Sequence, residues 1–229
     1  MNSGSLRYLG AALLVLVGIW LGAKFHLGRH DHDGVAVPAG VASTPQPAED
    51  LALQTVEGAQ PVVPAKLPDF SLADLAGKPT SVSSWNGKSL VINFWATWCA
   101  PCQREIPLLK TLATEWGGRN LTVVGIAVDH LDKVREFAGR FKIDYPLLIG
   151  EQDALDVAAQ FGMASPAFPF TVFTDQRGEV VALFVGELHR PQADFILSQV
   201  QSLNQDRIRL PEARRAIAQA LSAMADKHG

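Results

Sequence analysis

From residue 67 onward, strand-like and helix-like stretches alternate along the chain, and this alternation restricts the possible fold more than any other feature of the sequence. The continuous apolar run "LTVVGIAVD" is typical of a strand that is covered on both faces. The predicted elements are a strand at 90–96, a helix at 99–116, a strand at 121–129, a helix at 131–141, a strand at 145–149, a helix at 153–161, a hairpin formed by "PFTVFTD" and "EVVALFVG", and a helix at 191–203. The pattern predicts an α/β domain with a mixed sheet flanked by helices.

The residues before this domain divide into an apolar run and a linker. Residues 8–23 carry no charge and lie between Arg7 and Lys24. Their length suits a short membrane span or the core of a signal peptide. We therefore interpret 1–25 as a signal-anchor, with a cleaved signal as the alternative. Residues 26–66 are rich in Ala, Val, Pro and Gly without a sustained period, which is typical of a flexible linker.

Two further segments complete the predicted organisation, in which 67–204 is the folded domain and 205–229 is a helical tail. The tail carries Ile217, Leu221 and Met224 along one helical stripe. We expect this stripe to dock on the domain, with a surface for a partner protein as the alternative.

Composition excludes two classes of protein. A formal net charge of −3 gives no reason to expect the concentrated basic surface that nucleic-acid binding requires. With 2 cysteines in 229 residues, a disulfide-rich secreted framework is also excluded. Any cysteine chemistry must come from one pair, Cys99 and Cys102.

This pair lies in "NFWATWCAPCQREIP", where the predicted strand gives way to the predicted helix. The start of a helix offers unpaired N–H groups and a partial positive charge, which stabilise a thiolate and lower its pKa. Cys102 follows three residues later on the same helical face, within reach of a disulfide. Pro101 suits the first turn, where its missing N–H costs little. The pattern predicts that Cys99 attacks a partner disulfide and that Cys102 resolves the mixed disulfide.

Three polar or cyclic residues near the pair are further candidates. Glu105 shares the face of Cys102, where a carboxylate could take the thiol proton or change the thiol pKa; the alternative is a solvated surface glutamate. We interpret Asn93, in an otherwise apolar strand, as satisfying a local hydrogen bond. Pro169 begins a predicted strand, and a cis bond there would bring the backbone of Phe168 beside the disulfide to dock an extended substrate.

Metal binding by the pair is a competing interpretation. A zinc site needs about four ligands, and one CxxC motif supplies two. A Cu(I)-binding or delivery module that uses both cysteines and His189 is a better alternative, because soft thiolates suit Cu(I). A static disulfide would close a very small loop and restrict the unfolded chain little. We predict no bound cofactor and no metal.

The active-site segment "VINFWATWCAPCQREIP" resembles the thioredoxin superfamily, specifically its membrane-anchored TlpA/ResA/CcmG-like group. The stretch "LPDFSLADLAGKPTSVSSWNGKSLVINFW" is similar to the N-terminal extension of that group, and "PFTVFTDQRGEVV" to its cis-proline hairpin, so that the resemblance covers about 66–203. It implies a thioredoxin fold with an N-terminal extension, a central helix–strand insertion at about 131–154 and, outside the resemblance, an extra C-terminal helix.

The resemblance also implies roles for individual residues. Cys99 is the implied nucleophile and Cys102 the resolving thiol, which together form a redox-active disulfide. Glu105 matches an acidic residue near the redox site of the group, and Pro169 its cis-proline. The predicted substrate-docking residues are Trp98, Pro101, Phe168 and Pro169. Two departures stand out: Asn93 replaces the buried aspartate of thioredoxin, and "GMASPAFP" is longer than the usual loop.

The expected function is therefore that of a protein thiol-disulfide oxidoreductase anchored in a bacterial inner membrane, with its catalytic domain in the periplasm. The resemblance implies that it reduces disulfides of apocytochrome c or of copper-site proteins, with electrons from a membrane reductase of the DsbD type. A net oxidant is the alternative, because Ala100 and Pro101 between the cysteines do not fix a reduction potential.

Overall fold

The computed structural model describes residues 63–226. In this part of the chain a mixed sheet has the strand order β2-β1-β5-β4-β3-β6-β7. The strands are β1 (Ser71–Asp74), β2 (Pro79–Ser81), β3 (Ser89–Trp95), β4 (Leu121–Val128), β5 (Leu147–Gly150), β6 (Phe170–Thr174) and β7 (Val180–Val185). The helices are a short 3-10 turn (Val82–Trp85), α1 (Ala100–Gly117), α2 (Leu131–Phe141), α3 (Gln152–Gln160), α4 (Arg190–Asn204) and α5 (Leu210–Ala225). The predicted α/β class is confirmed.

The central strand β3 determines how the two faces of the sheet are filled. It pairs in parallel with β4 and antiparallel with β6, and all its residues are buried. Because successive side chains of a strand point to opposite faces, Ile92 and Phe94 join one apolar cluster while Val91 and Trp95 join the other. Helices α1, α2, α4 and α5 cover the cluster that contains Val91 and Trp95. The 3-10 turn and α3 cover the cluster that contains Ile92 and Phe94.

The helix at the C-terminus packs on the domain, as expected. Ala213 and Ile217 of α5 are buried, and Leu221 packs against the same cluster as α4. Arg214 fastens α5 to the edge strand, because its Nε donates to the carbonyl of Val180 at 3.2 Å. The stripe therefore belongs largely to the core of the domain.

The N-terminal extension forms strands that periodicity did not predict. β1 and β2 pair with each other and join the sheet through an antiparallel contact between β1 and β5. They have only 4 and 3 residues and mix polar with apolar side chains, so they are too short for a clear alternating pattern. The strand predicted to begin at Tyr145 begins instead at Leu147, after a proline that has no N–H for a sheet ladder.

The described chain begins at the end of the sheet opposite the C-terminal end of β3. Leu67 donates its N–H to the carbonyl of Gly178 at 2.8 Å, in the turn between β6 and β7, and Lys66 forms a bridge with Glu179. No helix within 63–226 is long and apolar enough to cross a membrane. The predicted span at 8–23 lies outside the described residues.

Candidate active site

The two cysteines form a disulfide at the start of α1. Cys99 is the N-cap residue of this helix, and its Sγ accepts a hydrogen bond from the N–H of Cys102 at 3.3 Å. Pro101 lies in the first turn, where no N–H is required. Cys99 is 6% exposed and Cys102 is fully buried. This is the order of exposure expected if Cys99 attacks and Cys102 resolves. The helix N-terminus therefore acts directly on the sulfur of Cys99, the less deeply buried of the two cysteines.

The loop between β3 and the disulfide is fixed by an acidic residue that sequence reasoning did not single out. The hydroxyl of Thr97 donates to a carboxylate oxygen of Asp129, which lies just after β4, and Gln103 donates to the carbonyl of Thr97 at 2.8 Å. Asp129 also accepts the N–H of His130 at 2.8 Å. The available signal was an aspartate directly after an apolar strand that runs parallel to the strand of the cysteines. The pairing of Asp129 with Thr97 could not be predicted, because it depends on the register between β3 and β4.

A cis-proline directly precedes β6, at the end of the sheet where the disulfide lies. The peptide bond between Phe168 and Pro169 is cis, as the resemblance implied. Pairing of Phe94 with Phe170 places this bond at the same end of the sheet as the disulfide. Phe168 packs against the cluster that contains both cysteines, and its ring meets Trp98 edge to face at 6.2 Å. Trp98 is 69% exposed and Phe168 is half-buried, so these two rings form an apolar contact at the disulfide end of the sheet, whereas Pro169 is buried.

Glu105 lies inside the protein with only 2% of its surface exposed, so the alternative of a solvated surface glutamate is wrong. Its Oε1 accepts a hydrogen bond from Asn93 Nδ2 at 2.8 Å, and its Oε2 accepts the N–H of Leu188 at 2.9 Å. Burial raises the pKa of Glu105 to about 7, because it outweighs these two hydrogen bonds, which favour the charged form. The carboxyl group can therefore gain or lose a proton near neutral pH.

Asn93 has a wider role than the local hydrogen bond that we predicted. Its Nδ2 donates to Thr171 Oγ1 on β6 at 3.1 Å as well as to Glu105 on α1. An amide nitrogen carries two hydrogens, so one side chain can serve both partners. Asn93 therefore joins the buried carboxylate to the strand that follows the cis-proline, although it exchanges no proton itself.

The histidines of the described chain give no support to the copper alternative. His189 is the exposed N-cap residue of α4, and His130 Nδ1 lies 2.8 Å from Glu151 Oε1 on the surface. Residues 63–226 contain no group of three or more His, Cys, Asp or Glu side chains that could hold a metal ion. The two cysteines themselves are joined as a disulfide, which is the oxidised form of a thiol–disulfide exchange site.

A disulfide at a helix N-terminus, faced by a cis-proline at the start of an antiparallel strand, is the arrangement of a thioredoxin-fold redox protein. A family profile described as Redoxin matches residues 63–197, and the chain belongs to this family. It is a thiol-disulfide oxidoreductase of the ResA-like group in the thioredoxin superfamily.

Individual relatives agree with this assignment. The thioredoxin-like protein YneN of Bacillus subtilis (strain 168) is 33% identical over 131 residues, which cover 56% of this chain and 74% of that protein. The thiol-disulfide oxidoreductase ResA of Geobacillus kaustophilus (strain HTA426) is 31% identical over 135 residues, 58% of this chain and 75% of the relative. A solved thiol:disulfide interchange protein from Chlorobium tepidum TLS aligns with a TM-score of 0.54 and 31% identity, over 60% of this chain and 96% of its own.

Proposed function

We propose that this protein is a membrane-tethered periplasmic reductase of disulfides in other proteins. The observation that carries the proposal is the position of Cys99, whose sulfur caps the N-terminus of α1 beside an exposed apolar docking surface. A sulfur in this position is stabilised as a thiolate after reduction. The docking surface of Trp98 and Phe168, next to the cis peptide bond at Pro169, supplies a place for an extended substrate chain.

In the proposed reaction, the Cys99 thiolate attacks one sulfur of a substrate disulfide. The substrate S–S bond breaks, a mixed disulfide forms at Cys99, and the first substrate thiolate leaves. The Cys102 thiolate then attacks Cys99 Sγ, which breaks the mixed disulfide and releases the second substrate thiolate. Two electrons have passed to the substrate, and the enzyme holds the Cys99–Cys102 disulfide seen in the structure.

Glu105 is the group that we assign to proton transfer in the second step. Cys102 is fully buried and must lose its proton before it can attack, although burial disfavours the thiolate. Glu105 follows three residues later on the same helix, and its pKa of about 7 lets it accept that proton and return it to the departing substrate thiolate. Asn93 and the Leu188 amide orient the carboxylate for this exchange.

The setting of the reaction is part of the same proposal. The apolar run at 8–23 supports a single N-terminal span in a bacterial inner membrane, and the resemblance supports a catalytic domain in the periplasm. The resemblance also favours apocytochrome c or a copper-site protein as the substrate. Electrons would come from a membrane reductase of the DsbD type through a second thiol–disulfide exchange, which restores both thiols.

A trapping experiment tests the proposal. A Cys102→Ala variant keeps the attacking thiol but cannot resolve the mixed disulfide, so we expect disulfide-linked complexes with exported proteins on non-reducing gels, identified by mass spectrometry. The matched control is Cys99→Ala, which should form few complexes and lose reductase activity by at least about 100-fold. Retained activity in Cys99→Ala, or equal trapping by both variants, would contradict the proposal.

A further inference from the structure

The loop between β7 and α4, Gly186–His189, contacts two parts of the redox site at once. At its beginning, the N–H of Gly186 donates to the carbonyl of the cis-proline Pro169 at 2.9 Å. Two residues later, the N–H of Leu188 donates to Glu105 Oε2 at 2.9 Å. The same few residues of main chain therefore hold both the docking strand and the buried carboxylate.

The backbone conformation of this loop depends on a glycine. Gly186 has a φ of +105°, a conformation that side-chain-bearing residues rarely adopt. A Cβ atom at this position would meet no heavy atom within 4 Å. The requirement for glycine is therefore conformational rather than steric, and it directs the Gly186 N–H toward Pro169.

The residue between the two contacts brings a charge close to Glu105. Glu187 lies with a 20% exposed side chain between the two hydrogen-bonded amides, and Arg104 Nε donates to its Oε2 at 2.9 Å. The negative charge of Glu187 raises the pKa of Glu105, while the Arg104 guanidinium lowers the pKa of Glu187. The pair is thus poised to adjust the charge that Glu105 experiences.

Other groups around Glu105 complete this environment. Glu187 of the loop acts on Glu105 directly, Arg104 and His189 act on Glu187, and Tyr145, from the segment before β5, interacts electrostatically with Glu105. The sheet contributes the neutral Asn93 amide. Among residues 63–226, Glu105 forms no ion pair of its own, so its nearest charge control comes from the loop.

We propose that the loop Gly186–Leu188 links substrate docking at Pro169 to the proton affinity of Glu105, with Arg104 and Glu187 setting the charge around that carboxylate. When a substrate chain displaces the Pro169 segment, Gly186 follows, and the Leu188 amide withdraws from Glu105. Loss of a donor to the charged form increases the proton affinity of the carboxylate. Docking therefore prepares Glu105 to take the proton from Cys102 when the resolving thiolate is needed. This inference rests on the proposed proton transfer by Glu105.

The charge part of the inference is tested on the oxidised protein, in which no thiol titrates. The 13C-carboxyl resonance of Glu105, assigned by its absence in Glu105→Gln, is followed by NMR across pH. We expect Glu187→Gln to lower the midpoint and Arg104→Gln to raise it, each by about half a pH unit. If the ion pair only fastens the loop, both variants break the same contact, so both midpoints should move in the same direction. Such a result would overturn the charge role.

The link to docking is tested with two matched glycine variants. Gly186→Ala and Gly178→Ala both place a Cβ at a positive φ without steric contact closer than 3.9 Å, but Gly178 lies in the turn between β6 and β7 at the opposite end of the sheet. We expect Gly186→Ala to raise the Glu105 midpoint and to raise KM for a protein disulfide several-fold. Gly178→Ala should change neither, and equal effects of the two variants would contradict the link.

The same measurements separate failure of the inference from failure of the proposed function. If Glu105 took no part in turnover, Glu105→Gln would leave the pH dependence of the reaction rate unchanged, while the opposite NMR shifts would persist. If the loop link were wrong, the Glu105→Gln effect on rate would persist and the NMR midpoints would not respond to the loop.

Discussion

Two buried carboxylates lie at opposite ends of the central strands, and their partners differ. Asp175, directly after β6, is fully buried and accepts the N–H groups of Arg177 and Glu179 at 2.9 Å, while Arg177 Nε lies 3.2 Å from its other oxygen. Glu105, at the end where β6 begins, is almost as deeply buried but receives only neutral donors. Each carboxylate fastens a loop, yet only Asp175 has a cation beside it.

The difference separates a structural use of a buried carboxylate from a chemical one. A nearby guanidinium and two turn amides compensate Asp175 for its burial, and they stabilise the turn on which Leu67 also docks. Glu105 lacks a cation, so burial dominates and brings its pKa to about 7. At the end of the sheet that carries the disulfide, the charged form of Glu105 therefore destabilises the fold. Because burial brings its pKa close to neutral pH, the same carboxyl group can also exchange a proton.

The largest expected effect concerns the pH dependence of stability. In the unfolded chain the pKa of Glu105 returns to about 4.5, so between that pH and about 7 the native state binds the proton more tightly. The resulting stabilisation is complete below about pH 4.5 and is lost as the pH rises through 7. Relative to Glu105→Gln, the free energy of unfolding of the wild-type oxidised protein should fall by about 3 kcal/mol between pH 4.5 and 8. Urea unfolding at several pH values measures this difference, and a constant difference would refute it.

A smaller loss of stability is expected at the opposite end. Asp175→Ala removes the acceptor of two turn amides and the partner of Arg177, so the free energy of unfolding at pH 7 should fall by about 2 kcal/mol. Turnover per folded molecule should stay unchanged, because the turn lies at the far end of β6 from Pro169. Denaturant unfolding and a disulfide reductase assay measure the two quantities. A loss of turnover larger than the loss of folded protein would show that the ends are coupled.

The smallest expected effect concerns substrate docking. It is tested by comparing Trp98, which directly precedes Cys99, with Trp116 in α1. Trp98→Ala removes an exposed ring beside Phe168, so KM for a protein disulfide should rise about 5-fold while kcat for a small disulfide stays constant. Trp116 lies near the far end of α1 under the Arg119 guanidinium. Trp116→Ala should leave KM unchanged, and a similar rise in both variants would remove the docking role of Trp98.

Sequence patterns predicted the order of the elements from β3 to α5 because their apolar periods are long and regular. The position of Cys99 followed from the change of period between strand and helix, and the cis bond at Pro169 followed from the resemblance. The contacts that define the environment of Glu105 could not be predicted in this way. Asn93 meets Thr171 across 78 residues, and Leu188 meets Glu105 across 83. Such contacts depend on strand register and on the positive φ of one glycine, which no local pattern encodes.

The contact of Leu67 with the turn at Gly178 has a practical consequence for handling the protein. This contact is separated from the disulfide by the length of β3, about 20 Å for seven residues. Immobilising the domain on a sensor chip through the exposed Lys66 would place the attachment on the side away from the sulfur chemistry. Coupling through surface groups of α1 near Pro101 would instead obstruct it, so the choice of attachment chemistry decides whether a binding partner can be detected at all.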